Sequence, residues 1–258
     1  MNQIVLQTRN LAIGYHSRKN KNPVASNLNL SLQTGKLTCL IGLNGVGKST
    51  LLRTLAGLQN ASAGEIWIDN KEIHSIPREE TAKQISVVLT ENNHPGDLVV
   101  RQVIELGRLP YTNWLGTLSK EDQQIVSHAA EQMKITTLLK RSFYELSDGE
   151  RQKVFIARAL AQEPHIMMLD EPTAFLDWPN RVDLLTLLQQ IAKEDNKAVL
   201  ISSHDLELAL KIADELWLMN NDKEIISGTG AALYNQGLLE KTFSSSHAKF
   251  LSGEWSQA

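Results

Sequence analysis

The sequence has a single cysteine, no excess of basic residues and no long apolar run. Because Cys39 is the one cysteine in 258 residues, an intrachain disulfide is excluded and a reducing compartment fits. The formal net charge of −3 gives no indication of a nucleic-acid groove. No stretch approaches the roughly 18 apolar residues of a membrane helix, and residues 1–4 do not begin a secretion signal. We therefore expect a soluble protein whose membrane role would come through a partner.

The composition is that of an ordinary folded domain, with 42% hydrophobic and 21% charged residues. Short β-prone runs alternate with helical segments and no internal repeat is found, so the sequence predicts one domain of α/β class over residues 1–258. The pattern is helical from Val99 to Gln162, which predicts a helical insert at about 92–162. A short polar tail follows at about 245–258.

Three local patterns make specific structural predictions. Residues 4–13 and 27–33 are predicted to be strands, the second because Leu28, Leu30 and Leu32 alternate with polar residues. Residues 99–106 are predicted to form a helix that is closed by Gly107 and Pro110.

The best-defined feature is a glycine-rich loop that has every defined position of the phosphate-binding pattern G-x-x-x-x-G-K-[ST]. Its residues, with the threonine that follows, are Gly42, Leu43, Asn44, Gly45, Val46, Gly47, Lys48, Ser49 and Thr50. A β-prone run precedes the loop at 37–41, and a helical segment follows at 51–56. A chance glycine-rich turn is the alternative, but strand, loop and helix together favour a phosphate site.

Each residue type in this loop suits phosphate binding. Glycines let backbone N–H groups approach phosphate oxygens without an intervening Cβ, and the following helix adds its positive N-terminal end. Lys48 supplies a compact cation for the β- and γ-phosphates, and Ser49 supplies a hydroxyl for Mg²⁺.

A second feature is a pair of acids at the end of an apolar run. Residues 166–169 are all apolar, and Asp170 and Glu171 follow them. A carboxylate at the end of a strand can hold Mg²⁺ through water, and the next can orient or deprotonate an attacking water. We assign these two roles to Asp170 and Glu171 respectively. Acid pairs are common at strand-to-turn junctions, and the Lys48 loop upstream is what favours phosphate chemistry here.

The segment 146–152 reads Leu-Ser-Asp-Gly-Glu-Arg-Gln, and its S-x-x-E pattern predicts a capping box at a helix start. A well-capped helix is one interpretation. The segment also resembles the Leu-Ser-Gly-Gly-Gln signature of ATP-binding cassette (ABC) proteins, and the order of motifs over residues 4–227 is similar to that family. The resemblance implies a P-loop NTPase cassette with a mixed central sheet, an antiparallel β part and an inserted α-helical subdomain.

The resemblance also implies roles for individual residues. Tyr15 would stack on adenine, although a strand-end core tyrosine is the alternative. Ser147 and Gly149 would close over the γ-phosphate of ATP held by a second subunit. The loop 175–177 would join the two subunits, and His204 would contact the γ-phosphate and steady the catalytic base.

Three positions depart from the family pattern. Asp148 and Glu150 stand where the family usually has glycine and glutamine, and the charge of Asp148 could weaken closure around an anion. Glu91 stands where the family usually places a glutamine that touches Mg²⁺ and the attacking water. Glu91 keeps an oxygen ligand, so we expect it at the metal site.

The working unit implied by the resemblance is a dimer that holds ATP and Mg²⁺ between two copies of the chain, and whose closing and reopening is driven by nucleotide. Transmembrane permease subunits would be coupled to this motion, and a substrate-binding protein would be an indirect partner. The chain would then be peripheral, at the cytoplasmic face of the inner membrane. Nucleic acid is not expected as a partner.

Residues 107–111 and 114–116 resemble a stretch found in cassettes of iron-siderophore, haem and cobalamin importers. An ordinary helix end with two half-exposed aromatic residues is the alternative. The resemblance predicts the ATPase of a metal-chelate importer, with an iron chelate favoured over cobalamin.

Two other kinds of function stay open at this stage. An exporter ATPase would use the same chemistry. A soluble cassette without a transport role is less favoured, because those of translation usually carry two cassettes and those of DNA repair carry long coiled coils, and we find no sustained heptads.

Overall fold

A computed structural model describes residues 3–14, 23–90, 95–112 and 116–243 of the chain. The strands in this part are β1 Ile4–Ile13, β2 Ala25–Leu28, β3 Ser31–Gln33, β4 Lys36–Gly42, β5 Ala63–Ile68, β6 Lys71–Glu72, β7 Ile85–Val88, β8 Ile166–Leu169, β9 Ala198–Ser203, β10 Glu215–Met219 and β11 Ile225–Gly228. The helices are α1 Lys48–Leu55, α2 Arg78–Gln84, α3 Val100–Glu105, α4 Lys120–Gln132, α5 Asp148–Ala161, α6 Trp178–Glu194, α7 Leu206–Ile212, α8 Gly230–Asn235 and α9 Leu238–Thr242. The predictions at Tyr15, Glu91, residues 114–115 and the 245–258 tail lie outside the described residues.

The described strands form two sheets. A five-stranded antiparallel sheet has the order β2-β1-β5-β6, with β3 also paired to β1. A six-stranded sheet has the order β11-β10-β4-β9-β8-β7, in which β11 alone is antiparallel to its neighbour. The predicted α/β fold with a mixed central sheet and an antiparallel part is confirmed. None of the helices in the described ranges is long and apolar enough to cross a membrane.

The central sheet is buried on both faces, which is why its strands are continuous apolar runs in the sequence. In β4, Cys39 and Ile41 contribute to a core that also contains side chains from α3, α5 and α6. Leu40, between them, contributes to the core on the other face, with the antiparallel sheet and α1. Burying a side chain of this size contributes about 1.5–3 kcal/mol, so both cores stabilise the register of β4. The carboxyl ends of β4, β9 and β8 consequently lie side by side.

The described residues between β7 and β8 form α3, α4 and α5, with 3-10 helical turns between them. Val103, Val126 and Val154, one from each helix, are fully buried in the core that includes the central sheet. This arrangement agrees with a helical insert at about 92–162, and the division of the chain into domains stays a prediction.

The helix predicted over residues 99–106 is confirmed as α3, Val100–Glu105, but its predicted closure by Gly107 and Pro110 is wrong. Helix α3 passes directly into a 3-10 turn, Leu106–Tyr111, that contains Gly107 and Pro110. A Cβ on Gly107 would lie 2.2 Å from the carbonyl oxygen of Arg158 in α5. Glycine is required because the turn passes close to the α5 backbone.

The prediction of one strand over 27–33 is also wrong, because this segment contains two strands, β2 and β3. Asn27 has a left-handed φ of 57° at the end of β2. The hydroxyl of Thr8 in β1 donates to the Leu28 carbonyl oxygen at 2.9 Å and accepts from the Leu30 N–H at 2.8 Å. A side chain thus satisfies the backbone where the strand breaks, and the leucine alternation continues across the break.

A buried arginine connects the 3-10 turn to the neighbouring helices. Arg108 is 4% exposed, and its Nε donates to Asp122 Oδ1 of α4 at 2.8 Å. Its Nη1 donates to the Ala161 carbonyl oxygen and to Glu163 Oε2, each at 2.8 Å. The guanidinium carbon lies 4.0 Å from the centre of the Tyr111 ring. This cluster anchors the turn at both the start of α4 and the end of α5.

Replacing Asp122 by asparagine is expected to lower the free energy of unfolding by about 2 kcal/mol at pH 7, because a buried guanidinium loses one of its two anions. Hydrogen bonds from the Ser119 hydroxyl and backbone N–H, together with Arg108, hold the pKa of Asp122 below its ordinary value. A carboxyl with a lowered pKa stabilises the fold above its unfolded pKa of about 3.9 and loses that contribution as pH falls through the lower folded value.

Urea unfolding of both proteins at pH 7 and through the acid range checks this expectation. The difference between wild type and Asp122→Asn should shrink as pH falls below about 4. Glu121→Gln, a change at the exposed neighbouring acid in the same turn, should stay within about 0.5 kcal/mol of wild type. A difference that did not change with pH would contradict the assigned ion pair.

Candidate active site

The glycine-rich loop joins the end of β4 to the start of α1, as the motif predicts. Gly47 has a φ of +123°, and a Cβ there would lie 2.3 Å from Val24 Cγ1. A Cβ on Gly42 would lie 2.6 Å from the Met219 carbonyl oxygen. Neither position can take a larger residue without movement of its surroundings, so the loop conformation depends on these two glycines.

The rim of the loop faces solvent, and its lysine is buried beneath it. Leu43, Asn44 and Gly45 are exposed, whereas Lys48 is 7% exposed. Lys48 Nζ donates to the carbonyl oxygens of Gly42 at 2.9 Å and of Leu43 at 3.4 Å. The ammonium group is therefore held under the backbone of the loop by the loop itself. Of the other predicted loop residues, Val46 and Ser49 are half-buried and Thr50 is buried.

The acid pair lies beside this lysine. Asp170 is 3% exposed, and its N–H donates to the Val88 carbonyl oxygen at 2.8 Å, which continues the pairing of β8 with β7. Glu171 has a left-handed φ of 49°, rare for a residue other than glycine. Its Oε1 lies 3.6 Å from Lys48 Nζ. Lys48 and Glu171, 123 residues apart in the sequence, meet because the parallel strands β4 and β8 both flank β9.

His204 follows β9 at the same edge of the sheet. Its Nδ1 lies 2.8 Å from Glu171 Oε2, so the imidazole donates to this carboxylate when Nδ1 carries the proton. The His204 side chain is 49% exposed and Glu171 is 16% exposed. Glu171 thus lies between Lys48 and His204 with access to solvent. The structure brings together Lys48, Asp170, Glu171 and His204, which the sequence placed in separate motifs.

Sequence reasoning missed one residue of this cluster, Ser202 in β9. Its side chain is completely buried. Its hydroxyl donates to Asp170 Oδ1 at 2.7 Å and accepts from the Glu171 N–H at 2.8 Å. One hydroxyl therefore fixes both an oxygen of the first acid and the strained backbone of the second. The available signal was a serine at the end of an otherwise apolar strand.

Ser147 and Gly149 lie at the start of α5, away from this cluster. Among the hydrogen bonds and ion pairs of the described residues, none joins either residue to Lys48, Asp170 or Glu171. Ser147 is exposed and caps α5 by accepting from the Glu150 N–H at 3.3 Å. The predicted capping box is confirmed.

The 175–177 loop lies between the signature helix and the His204 segment. A Cβ on Gly149 would lie 2.8 Å from Leu176 Cδ2. Arg181 Nε donates to the Leu176 carbonyl oxygen at 2.7 Å, and Arg181 Nη1 lies 3.6 Å from Asp205 Oδ2. Phe175 is 54% exposed. Arg181 therefore fixes the backbone of the loop, and the loop exposes the Phe175 side chain to solvent.

Cys39 lies in β4 and has no chemical role in this site. It is completely buried, and burial raises the pKa of its thiol far above the ordinary value, with further contributions from Glu171 and Asp205. The thiol stays protonated and inert, as the sequence predicts.

The central parallel strands, the glycine-rich loop and the acid pair define a nucleotide-binding protein of the P-loop class. The ABC transporter family matches residues 25–174. An uncharacterized ABC transporter ATP-binding protein of Methanocaldococcus jannaschii is 39% identical over 246 residues, covering 95% of this chain and 83% of the relative. The ferric enterobactin transport ATP-binding protein FepC of Escherichia coli is 35% identical over 238 residues, covering 92% of this chain and 86% of FepC. The chain belongs to the ABC transporter family, as an ATP-binding subunit that hydrolyses ATP.

Solved structures give the same assignment. A transporter described as metal-chelate type, in an inward-facing conformation, is 29% identical with a TM-score of 0.78, covering 93% of this chain and 88% of the other. A dimeric ATP-binding cassette in a post-hydrolysis state, bound to ADP and phosphate, is 26% identical with a TM-score of 0.74, covering 87% of this chain and 98% of the other.

Proposed function

We propose that this chain is the ATP-hydrolysing subunit of an importer that takes up a metal chelate, with a ferric siderophore favoured, through a separate permease. The ATPase mechanism is supported by one observation: Glu171 lies between Lys48 and His204 at the carboxyl edge of the central sheet. The import part is supported by the ferric enterobactin transport protein and the metal-chelate transporter among the similar proteins.

ATP would bind with its phosphates in the loop that ends at Ser49. The N–H groups of the loop and the Lys48 ammonium would bind the β- and γ-phosphate oxygens. When bound, Mg²⁺ would neutralise charge between these phosphates. Ser49 and Asp170 suit this cation because a hydroxyl and a carboxylate are oxygen ligands. Asp170 Oδ1 accepts one hydrogen bond from Ser202, and the carboxylate keeps further lone pairs that would hold the metal or a metal-bound water.

Glu171 would act as the general base in hydrolysis. Its carboxylate accepts a proton from the attacking water while the oxygen of that water bonds to the γ-phosphorus and the bond to the ADP oxygen breaks. His204 Nδ1 lies 2.8 Å from Glu171 Oε2, so the Glu171 carboxylate is already oriented before the water binds. From the resemblance alone, we also propose that Tyr15 stacks on adenine and that Glu91 contacts the metal.

Two copies of the chain would form the complete site. The N-terminus of α5 is exposed and has the positive end of the helix dipole, which suits a phosphate. Ser147 and Gly149 are not joined to the Lys48 loop of their own chain, so a second copy would have to present them. The dimeric cassette with ADP and phosphate among the solved structures supports this arrangement.

A groove beside the 3-10 turn is the surface that we assign to the permease. It has a volume of about 600 Å³ and is lined by α2, the end of α1 and part of α5. Leu58, which lines the groove, is 60% exposed. Tyr111 of the 3-10 turn is 39% exposed, and its hydroxyl donates to the carbonyl oxygen of Gln162, which also lines the groove. An exposed apolar patch of this kind suits an apolar partner segment. The chain would then be peripheral at the inner membrane, and a substrate-binding protein would deliver the chelate to the permease.

Uptake of labelled chelates by cells tests the import function. Cells that lack the gene and carry it back as wild type or as Glu171→Gln are given labelled ferric siderophore, haem or cobalamin. Wild type should restore uptake of one cargo, and Glu171→Gln should not. Restoration by both proteins, or of no cargo, would contradict import driven by this ATPase. Co-sedimentation of the chain with membranes only when its permease is present would support the peripheral assignment.

A further inference from the structure

The Glu150 side chain binds the Ser147 hydrogen-bond donors that the proposed dimer would need for the γ-phosphate. Glu150 Oε2 accepts from the Ser147 backbone N–H at 2.9 Å and from the Ser147 hydroxyl at 3.0 Å. Both donors belong to the residue proposed to contact the γ-phosphate of the second copy. A hydrogen bond to a carboxylate is charge-assisted and stronger than one to a neutral acceptor. The hydroxyl hydrogen of Ser147 can point to only one acceptor at a time.

A second acid, Asp148, and two arginines surround the Glu150 carboxylate. Glu150 Oε1 lies 3.8 Å from Arg141 Nη1. Asp148, the other acid in the first turn of α5, instead lies 3.3 Å from Arg151 Nη1, and among the described residues it has no hydrogen bond to Ser147. Two acids of the same charge therefore occupy one helical turn, and only Glu150 binds the Ser147 donors. This difference provides a matched control.

We propose that Glu150 is a positioning residue that regulates closure of the dimer, by holding the Ser147 donors until the γ-phosphate displaces it. This inference rests on the proposed two-copy ATPase. In the separate subunit the carboxylate satisfies the helix start. On closure, the γ-phosphate replaces the carboxylate as the acceptor for Ser147, and Glu150 turns toward Arg141, the nearest cation. Because the γ-phosphate must first displace the Glu150 carboxylate from Ser147, the dimer forms at a higher ATP concentration.

The substitution Glu150→Gln separates this role from helix capping. Glutamine keeps the capping box, because its amide oxygen can still accept from the Ser147 N–H. The glutamine amide oxygen is a weaker acceptor than a carboxylate oxygen, and glutamine has no negative charge to repel the γ-phosphate. The dimer of Glu150→Gln should therefore form at about tenfold lower ATP concentration than the wild-type dimer, which is the difference between a charged and a neutral hydrogen bond. The midpoint of thermal unfolding without nucleotide should fall by no more than about 4 °C, because the weaker acceptor leaves the rest of the capping box in place.

Sedimentation across an ATP titration measures this effect, with Glu171→Gln present in every protein so that hydrolysis does not reopen the dimer. Asp148→Asn removes the same charge from the same turn and should shift the titration by less than about twofold. Equal shifts in Asp148→Asn and Glu150→Gln would show an effect of charge alone and overturn the inference. No shift in Glu150→Gln, with dimers formed by all proteins, would also overturn it. If no protein formed a dimer with ATP, the proposed two-copy site itself would be wrong.

Discussion

The substitution Glu171→Gln is expected to lower ATP turnover by roughly 10²–10⁴-fold, the usual contribution of a positioned general base. Glutamine has almost the same shape, and it can still contact His204 and Lys48, which lie 2.8 Å and 3.6 Å from the carboxylate oxygens. It cannot accept a proton from water. Because the Lys48 loop is unchanged, ATP binding should be retained. Phosphate release under saturating ATP, together with binding of a fluorescent ATP analogue, measures the two effects separately.

The matched control for this prediction is Glu207→Gln. Glu207 is an exposed acid of α7, three residues after His204, and its carboxylate pairs with Lys211 at 2.9 Å rather than with the site. This variant should hydrolyse ATP at the wild-type rate within about twofold. Turnover by Glu171→Gln above a tenth of the wild-type rate would show that another group deprotonates the water.

Ser202→Ala is the second large effect that we expect, and Ser202 would act through its bonds to Asp170 and Glu171. Its loss leaves Asp170 Oδ1 and the Glu171 N–H without their hydroxyl partner in a buried place. The free energy of unfolding should fall by about 1–3 kcal/mol. The kcat should fall about 10–100-fold, because the left-handed backbone of Glu171 loses its restraint and small misplacements of a catalytic group are costly. The KM for ATP should change less than kcat, because the Lys48 loop is not altered.

Ser203→Ala separates this positioning role from a loss of stability. Ser203 is also buried in β9, and its hydroxyl accepts from the Asp205 N–H at 3.0 Å, outside the row of catalytic groups. It should cost similar stability in urea unfolding but leave kcat within about threefold. If the two alanine variants had the same kcat, the effect of Ser202 would be one of stability, and its assignment as a positioning residue would fail.

Local features of this chain were predictable because neighbouring residues cause them. The strand before Gly42 and the helix after Lys48 follow from a short apolar run and an amphipathic segment, and both are where the sequence placed them. The helix start at Ser147 follows from a capping box within four residues. Such elements need no knowledge of distant segments.

Features that depend on distant packing were predicted wrongly or not at all. Gly107 looked like a helix stop, yet its glycine is required by the backbone of Arg158, about 50 residues later. The break between β2 and β3 depends on the hydroxyl of Thr8 on another strand. Neither partner can be found from the local pattern, since the contact exists only after the strands and helices have packed.

The residue types for phosphate binding, metal binding and proton transfer were determined by the sequence, because each lies in a short motif whose chemistry its neighbours define. The tertiary structure alone decided how these motifs meet. Parallel pairing of β4, β9 and β8 places Lys48 Nζ 3.6 Å and His204 Nδ1 2.8 Å from the carboxylate oxygens of Glu171, and it brings the Ser202 hydroxyl into hydrogen bonds with both acids. The bonds from Ser147 to Glu150 are different, because they belong to a capping box within four residues and need no distant segment.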